Sequence, residues 1–139
     1  MKKRVPVSKI MTSNLVLLNL TDTLEKAEGL FKKHHIRHIP VVNNNKIEGM
    51  LSYTDLLRIS YADATYEEDD HVDTIVYNMF TLQQVMVKTV TCVKSSDTVY
   101  DVAKILAKES FHALPVEENG KLVGIVTTTD LITYLLEQY

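Results

Sequence analysis

Apolar residues along the chain follow two periods in alternation, and the order of the periods recurs. Leu15 to Leu18 is a continuous apolar run of strand length, after Val7 to Met11, which reads as a lead-in turn. Leu24, Ala27, Leu30 and Phe31 follow at helical spacing, with Glu25, Lys26, Lys32 and Lys33 on the other face. Thr21, Asp22 or Thr23 can cap this helix, and the Lys32-Lys33-His34-His35 turn suits the negative end of its dipole. His38 to Val42 and Ile47 to Ser52 then read as two strands joined through Asn43-Asn44-Asn45, residues that tolerate left-handed turn geometry. Thr54 offers an N-cap for a second helix carrying Leu56, Leu57 and Tyr61.

The second half repeats this order. Val90 to Val93 is the strand and Val99, Val102, Ala103 and Leu106 mark the helix. Ala113 to Glu117 and Lys121 to Thr127 form the hairpin around Asn119-Gly120, and Leu131, Ile132, Leu135 and Leu136 line the last helix. A constant offset of 75 carries Met11 to Met86, Asp22-Thr23 to Asp97-Thr98, Pro40-Val41 to Pro115-Val116, Gly49 to Gly124, Ser52 to Thr127 and Thr54-Asp55 to Thr129-Asp130, with no gap. The expected organisation is a repeat over 1–61, an acidic linker with a possible short helix over 62–81, and a second repeat over 82–139. The fold class is α/β (α+β), with two β-α-β-β-α units. A three-stranded sheet with helices on one face cannot bury everything alone, so the units are expected to pack around a pseudo-two-fold axis. Pro40 and Pro115 cannot donate a ladder hydrogen bond and are expected at sheet edges.

Composition narrows the picture. The 139 residues are 45% hydrophobic, enough for one core or two small fused ones. No apolar run approaches the roughly 18 residues that span a bilayer, and Met-Lys-Lys-Arg is followed by Pro6, Ser8 and Lys9 rather than a signal core, so a cytoplasmic protein is expected. The single cysteine, Cys92, reads as a buried reduced thiol. Residues 1–60 hold ten Lys/Arg against five Asp/Glu, residues 61–81 six acids and no Lys/Arg, and residues 82–139 five against seven. That distribution is unlike a duplex-binding surface, and nucleic acid is not expected as a partner, but a basic first repeat leaves room for a small anion. The linker acids Asp63, Glu67, Glu68, Asp69, Asp70 and Asp73, around His71, lack the spacing of a metal motif and read as a solvated loop. No nucleophile elbow, phosphate-binding glycine loop or zinc spacing is present, so no catalytic residue is assigned.

What recurs with chemistry in it is a glycine, two apolar residues, a hydroxyl and an aspartate at a helix start: Gly49-Met50-Leu51-Ser52-Tyr53-Thr54-Asp55 and Gly124-Ile125-Val126-Thr127-Thr128-Thr129-Asp130. An aspartate held at a helix start can accept both hydroxyls of a ribose, and a Ser or Thr three residues earlier can donate to a phosphate or ribose oxygen. The same residues would also suit capping alone, with threonine at the cap and the acid at the positive dipole end. The glycines either let backbone approach a ligand or simply relax a strand.

In the order of its elements and in these two motifs, the chain resembles a tandem pair of CBS (cystathionine-beta-synthase) domains, a Bateman module, over nearly its whole length. The resemblance implies a regulatory module that binds adenosine-containing ligands such as AMP, ADP, ATP or S-adenosylmethionine in clefts between the repeats. It requires no cofactor, and it implies a homodimer. One site would use Ser52, Thr54 and Asp55, with Arg37 and His38 toward the phosphate and Met86, Val87 and Thr91 around the base. The other would mirror it with Thr127, Thr129, Asp130 and His112, and with Met11, Thr12 and Val16. A guanidinium keeps its charge whereas an unperturbed imidazole is mostly neutral at pH 7, which makes the Arg37 site the better one for a phosphorylated ligand. The regulated protein would be a separate chain. The alternative is a non-catalytic dimerisation module with degenerate nucleotide sites, its contact made by Leu56-Leu57 and Leu131-Ile132-Leu135.

Overall fold

The computed structural model describes residues 4–63 and 77–139, the side chains of 60–63 excepted. Most of the acidic linker, with its expected short helix, lies outside the described residues. The elements run β1 (Leu18–Asn19), α1 (Leu24–His34), β2 (His38–Asn43), β3 (Lys46–Ser52), α2 (Tyr53–Asp63), α3 (Leu82–Val85), β4 (Val93–Lys94), α4 (Val99–Lys108), β5 (Ala113–Glu118), β6 (Lys121–Thr127) and α5 (Thr128–Glu137), after a 3-10 turn at Val7–Lys9. The class is α+β, and the β-α-β-β-α order occurs twice.

The compact units are not the sequence repeats. One unit is Val16–Val90; the other joins Met1–Leu15 to Thr91–Tyr139. Each therefore takes its lead-in segment from the other repeat. Met50 and Val87 exchange backbone hydrogen bonds at 3.0 and 2.9 Å, so the segment before repeat two lies along the outer edge of β3. Thr12 and Ile125 do the same at 2.8 and 3.0 Å beside β6. An outer strand presents unpaired N–H and C=O groups, and the crossing segment satisfies part of that row.

In the Val16–Val90 unit the sheet order is β1-β2-β3, with β1 parallel and β3 antiparallel to β2. Its hairpin turns at Asn44 and Asn45, both at positive φ (53° and 67°), while the other unit turns at Asn119 and Gly120 (53° and 78°). Both pairs have the left-handed geometry that matches strand twist. The strands paired to them are shorter than the apolar runs suggest: only Leu18-Asn19 and Val93-Lys94 join their sheets, pairing with Val41-Val42 and Val116-Glu117. β2 and β5 are consequently middle strands, which corrects the edge expectation for Pro40 and Pro115. Both prolines sit one residue before the short parallel pairing begins, so no ladder donor is missed there. A register shift recurs beside each conserved-in-repeat glycine, between Val41 and Val42 and between Val116 and Glu117, and bends each hairpin at the same place.

Leu18, Leu24, Ala27, Phe31, Ile39, Val41, Leu51 and Leu56 form the core of the Val16–Val90 unit, joined by Tyr77, Leu82 and Met86. Phe31 stacks on Tyr53 with centroids 5.1 Å apart, and the Tyr77 hydroxyl donates to Glu28. The other core is smaller: Val7, Val93, Val102, Leu114, Val116 and Val126, with Ile10, Met11, Ile105, Leu106, Phe111, Val123 and Leu131 partly buried around it. Each fully buried leucine or valine contributes about 1.5–3 kcal/mol. Cys92 is half-buried rather than buried, and desolvation together with the Glu117 carboxylate pushes its thiol up to about 11, which leaves it protonated and unreactive. Among the described residues no helix is long and apolar enough to cross a membrane, and no cluster could hold a metal ion.

Candidate functional site

Thr23 caps α1 by accepting from Lys26 N at 3.1 Å, and Thr98 caps α4 in a reciprocal box with Asp101. At the two candidate sites the cap is one of the hydroxyls expected to meet a ligand. Ser52 Oγ accepts from Asp55 N at 3.0 Å, and Thr127 Oγ1 accepts from Asp130 N at 3.2 Å. Ser52, not Thr54, is therefore the cap of α2, because the helix begins at Tyr53, two residues earlier than a Thr54 cap implies. A hydroxyl that accepts from a backbone N–H still has its own proton to donate, so capping and ligand contact are compatible.

The aspartates are held too. Asp130 Oδ2 accepts from Thr127 N at 2.9 Å, which closes a capping box. Asp55 Oδ1 lies 3.4 Å from Arg58 Nη1, one turn along α2. Asp55 keeps 21% of its side-chain surface exposed, enough for another acceptor contact.

The strand before each hairpin delivers the next group. His38 is the cross-strand partner of Ser52, and Arg37 just ahead of it accepts from Tyr53 N through its carbonyl at 2.8 Å. Ala113 is the partner of Thr127, and the His112 carbonyl accepts from Thr128 N at 3.0 Å. Arg37 and His112 are thus tied by backbone to the first residue of α2 and α5, with exposed side chains. The N–H groups of Thr54 and Thr129, at the second helical position, have no partner among the described hydrogen bonds. They are orphan donors at the positive end of a helix, a group the sequence reading passed over.

Met86 and Val87 lie beside β3 and Met11 and Thr12 beside β6, each inside the unit whose helix start they were expected to serve. Val87 and Thr12 are exposed, while Met86 is buried. Thr91 belongs to the unit of Asp130, and Val16 to that of Asp55. The glycines acquire a definite reason. A Cβ on Gly49 would stand 2.5 Å from Met86 Sδ and 2.9 Å from Val87 O; one on Gly124 would stand 2.5 Å from Met11 Sδ and 3.1 Å from Thr12 O. Close approach is needed, but by the crossing segment of the other repeat.

Two α+β frames, each presenting a capped helix start, an aspartate and a crossing segment, define a duplicated module with paired polar sites. The model of the CBS domain family matches residues 7–62 and 82–137, and the chain belongs to that family. A protein of Methanocaldococcus jannaschii of unassigned function is 29% identical over 129 residues, 92% of this chain and 38% of that one. The chain spans about two-fifths of the length of the first curated relatives it matches. Among solved structures, the CBS domain pair of protein MJ0100 in complex with 5′-methylthioadenosine and S-adenosyl-L-methionine superposes with a TM-score of 0.80 at 21% identity, covering 97% of this chain and 98% of that one. CBSX2 in complex with AMP gives 0.78 at 22%, covering 96% and 98%. At these identities the likeness establishes the shared fold.

Proposed function

We propose that this chain is a ligand-sensing regulatory module that binds adenosine-containing ligands, AMP, ADP, ATP or S-adenosylmethionine, and signals their presence to a partner protein without catalysing a reaction. The observation that carries this reading is the duplicated helix start. In each unit an aspartate, a capping hydroxyl and an orphan Thr N–H stand together beside a backbone-paired crossing segment. The carboxylate serves the ribose diol, the hydroxyl and N–H serve phosphate or ribose oxygens, and Val87 or Thr12 offers a surface to the base. Similarity in fold to pairs solved with AMP and with S-adenosylmethionine supports the ligand class. Because each unit is built from both repeats, a ligand held by Asp55 and Val87 would tie the repeats together. It would shift the relative angle of two modules in a homodimer by no more than its differential affinity for the two arrangements.

A thermal-shift panel of AMP, ADP, ATP, S-adenosylmethionine and adenosine tests it, with Asp55→Asn and Asp130→Asn as controls. Asparagine keeps the acceptor that Thr127 N uses, so fold is preserved while the carboxylate is lost. A ligand that binds the folded state alone adds about 2.7 kcal/mol at a hundredfold excess over Kd. Dose-dependent stabilisation that disappears in the double variant supports the reading. A folded protein with no response to any member overturns it in favour of a second one, a homodimeric interaction module with degenerate sites. The exposed Ile132 and Leu135, at 53% and 42%, are the observation behind that second reading, whereas Leu56, expected in the same contact, is buried in its own unit's core.

A further inference from the structure

Resting on the adenosine-site reading, a finer assignment follows from charges at equivalent positions of the two frames. Arg37, tied through its carbonyl to the first residue of α2, corresponds to His112, tied in the same way to the first residue of α5. Arg58, which faces Asp55 at 3.4 Å, corresponds to Thr133. Lys88, next to Val87 on one crossing segment, corresponds to Ser13, next to Thr12 on the other. Three cations on one frame are thus matched by an imidazole and two hydroxyls, while the aspartate is kept on both. Among the described residues Arg37 forms no ion pair.

We infer that the two sites are tuned to ligands of opposite charge at the 5′ carbon of the ribose. The Asp55 site takes the phosphorylated adenosine ligand, with Arg37 as its phosphate-specifying residue. The Asp130 site takes an adenosine ligand that is neutral or cationic there, a thioether or a sulfonium. The reason is local electrostatics. With a fixed aspartate and no lysine or arginine at the three matching positions, a phosphate at the Asp130 site would meet a like charge and gain only one helix end, whereas a sulfonium would gain from the same aspartate. At the Asp55 site Arg58 offsets the aspartate, and the Arg37 guanidinium can make charge-assisted, bidentate contact with phosphate.

The test is calorimetric titration of the full chain with AMP and, separately, with 5′-methylthioadenosine and S-adenosylmethionine. It is repeated on Arg37→His and His112→Arg, which exchange the two residues between frames. Expected for the unaltered protein is one AMP site per chain and one site for the thioether or sulfonium, each still filling when the other ligand is present. Arg37→His weakens AMP by about tenfold, the scale of one charge-assisted contact, and leaves 5′-methylthioadenosine unchanged. His112→Arg raises AMP stoichiometry from one to two. Two equivalent AMP sites in the unaltered chain, or an Arg37→His variant with unaltered AMP affinity, overturns the charge assignment and leaves the adenosine reading standing. Absence of binding by all three ligands overturns both. Both residues are exposed at the surface, and unchanged melting of the ligand-free variants separates a lost contact from a lost fold.

Discussion

The two units share a frame to the level of individual hydrogen bonds and differ in what surrounds it. Each caps the helix after its hairpin with a hydroxyl, ties the first N–H of that helix to the residue ahead of the hairpin, and seats a crossing segment against a glycine. Yet the Val16–Val90 unit packs Phe31 on Tyr53 and buries Tyr77, where its counterpart has Leu106 and Thr128 and a core made mostly of valines. The bonds that shape the helix start are backbone and capping bonds, which depend on few side chains. The cores and the surface charges around them were free to diverge. What is common to both units marks the architecture of the site, and what differs marks its selectivity and the division of stability.

The glycine contacts give the largest effect expected. Gly49→Val drives a side chain into Met86 and a carbonyl, and should cost at least about 3 kcal/mol in urea unfolding, with Gly124→Val somewhat less damaging because the Thr12 carbonyl stands farther off. Equal tolerance of both variants would break the view that crossing segments are pinned there. Phe31→Ala should come next, at about 3 kcal/mol, since the ring is 2% exposed and stacked. Leu106→Ala, at the matching position but only partly buried, should cost clearly less, and parity between them would deny the difference in cores.

A smaller effect is expected at the caps. Thr98→Ala should lose about 1 kcal/mol by chemical denaturation. Its box partner Asp101 has a carboxyl held below the usual range, chiefly by the Thr98 backbone N–H and then by the hydroxyl. A folded-state value below the unfolded one makes this contribution complete above the ordinary carboxylate range and lost as pH falls through the lowered value. Asp101→Asn should therefore flatten the acid limb of the stability curve, and an unchanged limb would remove the capping box from the account. Least of all should follow from Arg58→Ala. Arg58 is 75% exposed and its 3.4 Å pair with Asp55 is worth at most about 0.5 kcal/mol, so melting should hardly move. A large loss would show that the pair orders α2, a role Thr133 cannot fill in the other unit.

Legibility followed the range of the interactions. The helices around Leu24 to Phe31 and Val99 to Leu106 and the Asn-rich and Asn-Gly turns lie within a few residues of what specifies them, and all stood where the pattern placed them, while the α1 cap fell on Thr23, one of three residues that could have served. Leu15 to Leu18 and Val90 to Val93 read as full strands, but only their last residues reach a partner, because pairing length is fixed by the neighbouring strand. The α2 cap shifted from Thr54 to Ser52 for a related reason: the Tyr53 N–H is captured by the Arg37 carbonyl, 16 residues away, and the helix starts there.

By itself the sequence determined the duplication, the fold class, the family and the pair of hydroxyl-aspartate helix starts, since periodicity, turn chemistry and a gapless offset are properties of the chain alone. Only the tertiary structure decided that each compact unit borrows its lead-in from the other repeat, that Gly49 and Gly124 make room for that segment, and that the Thr54 and Thr129 N–H groups are left over. Those outcomes depend on which strand edge a distant segment pairs with and which donors that pairing leaves unused, and no local pattern encodes either.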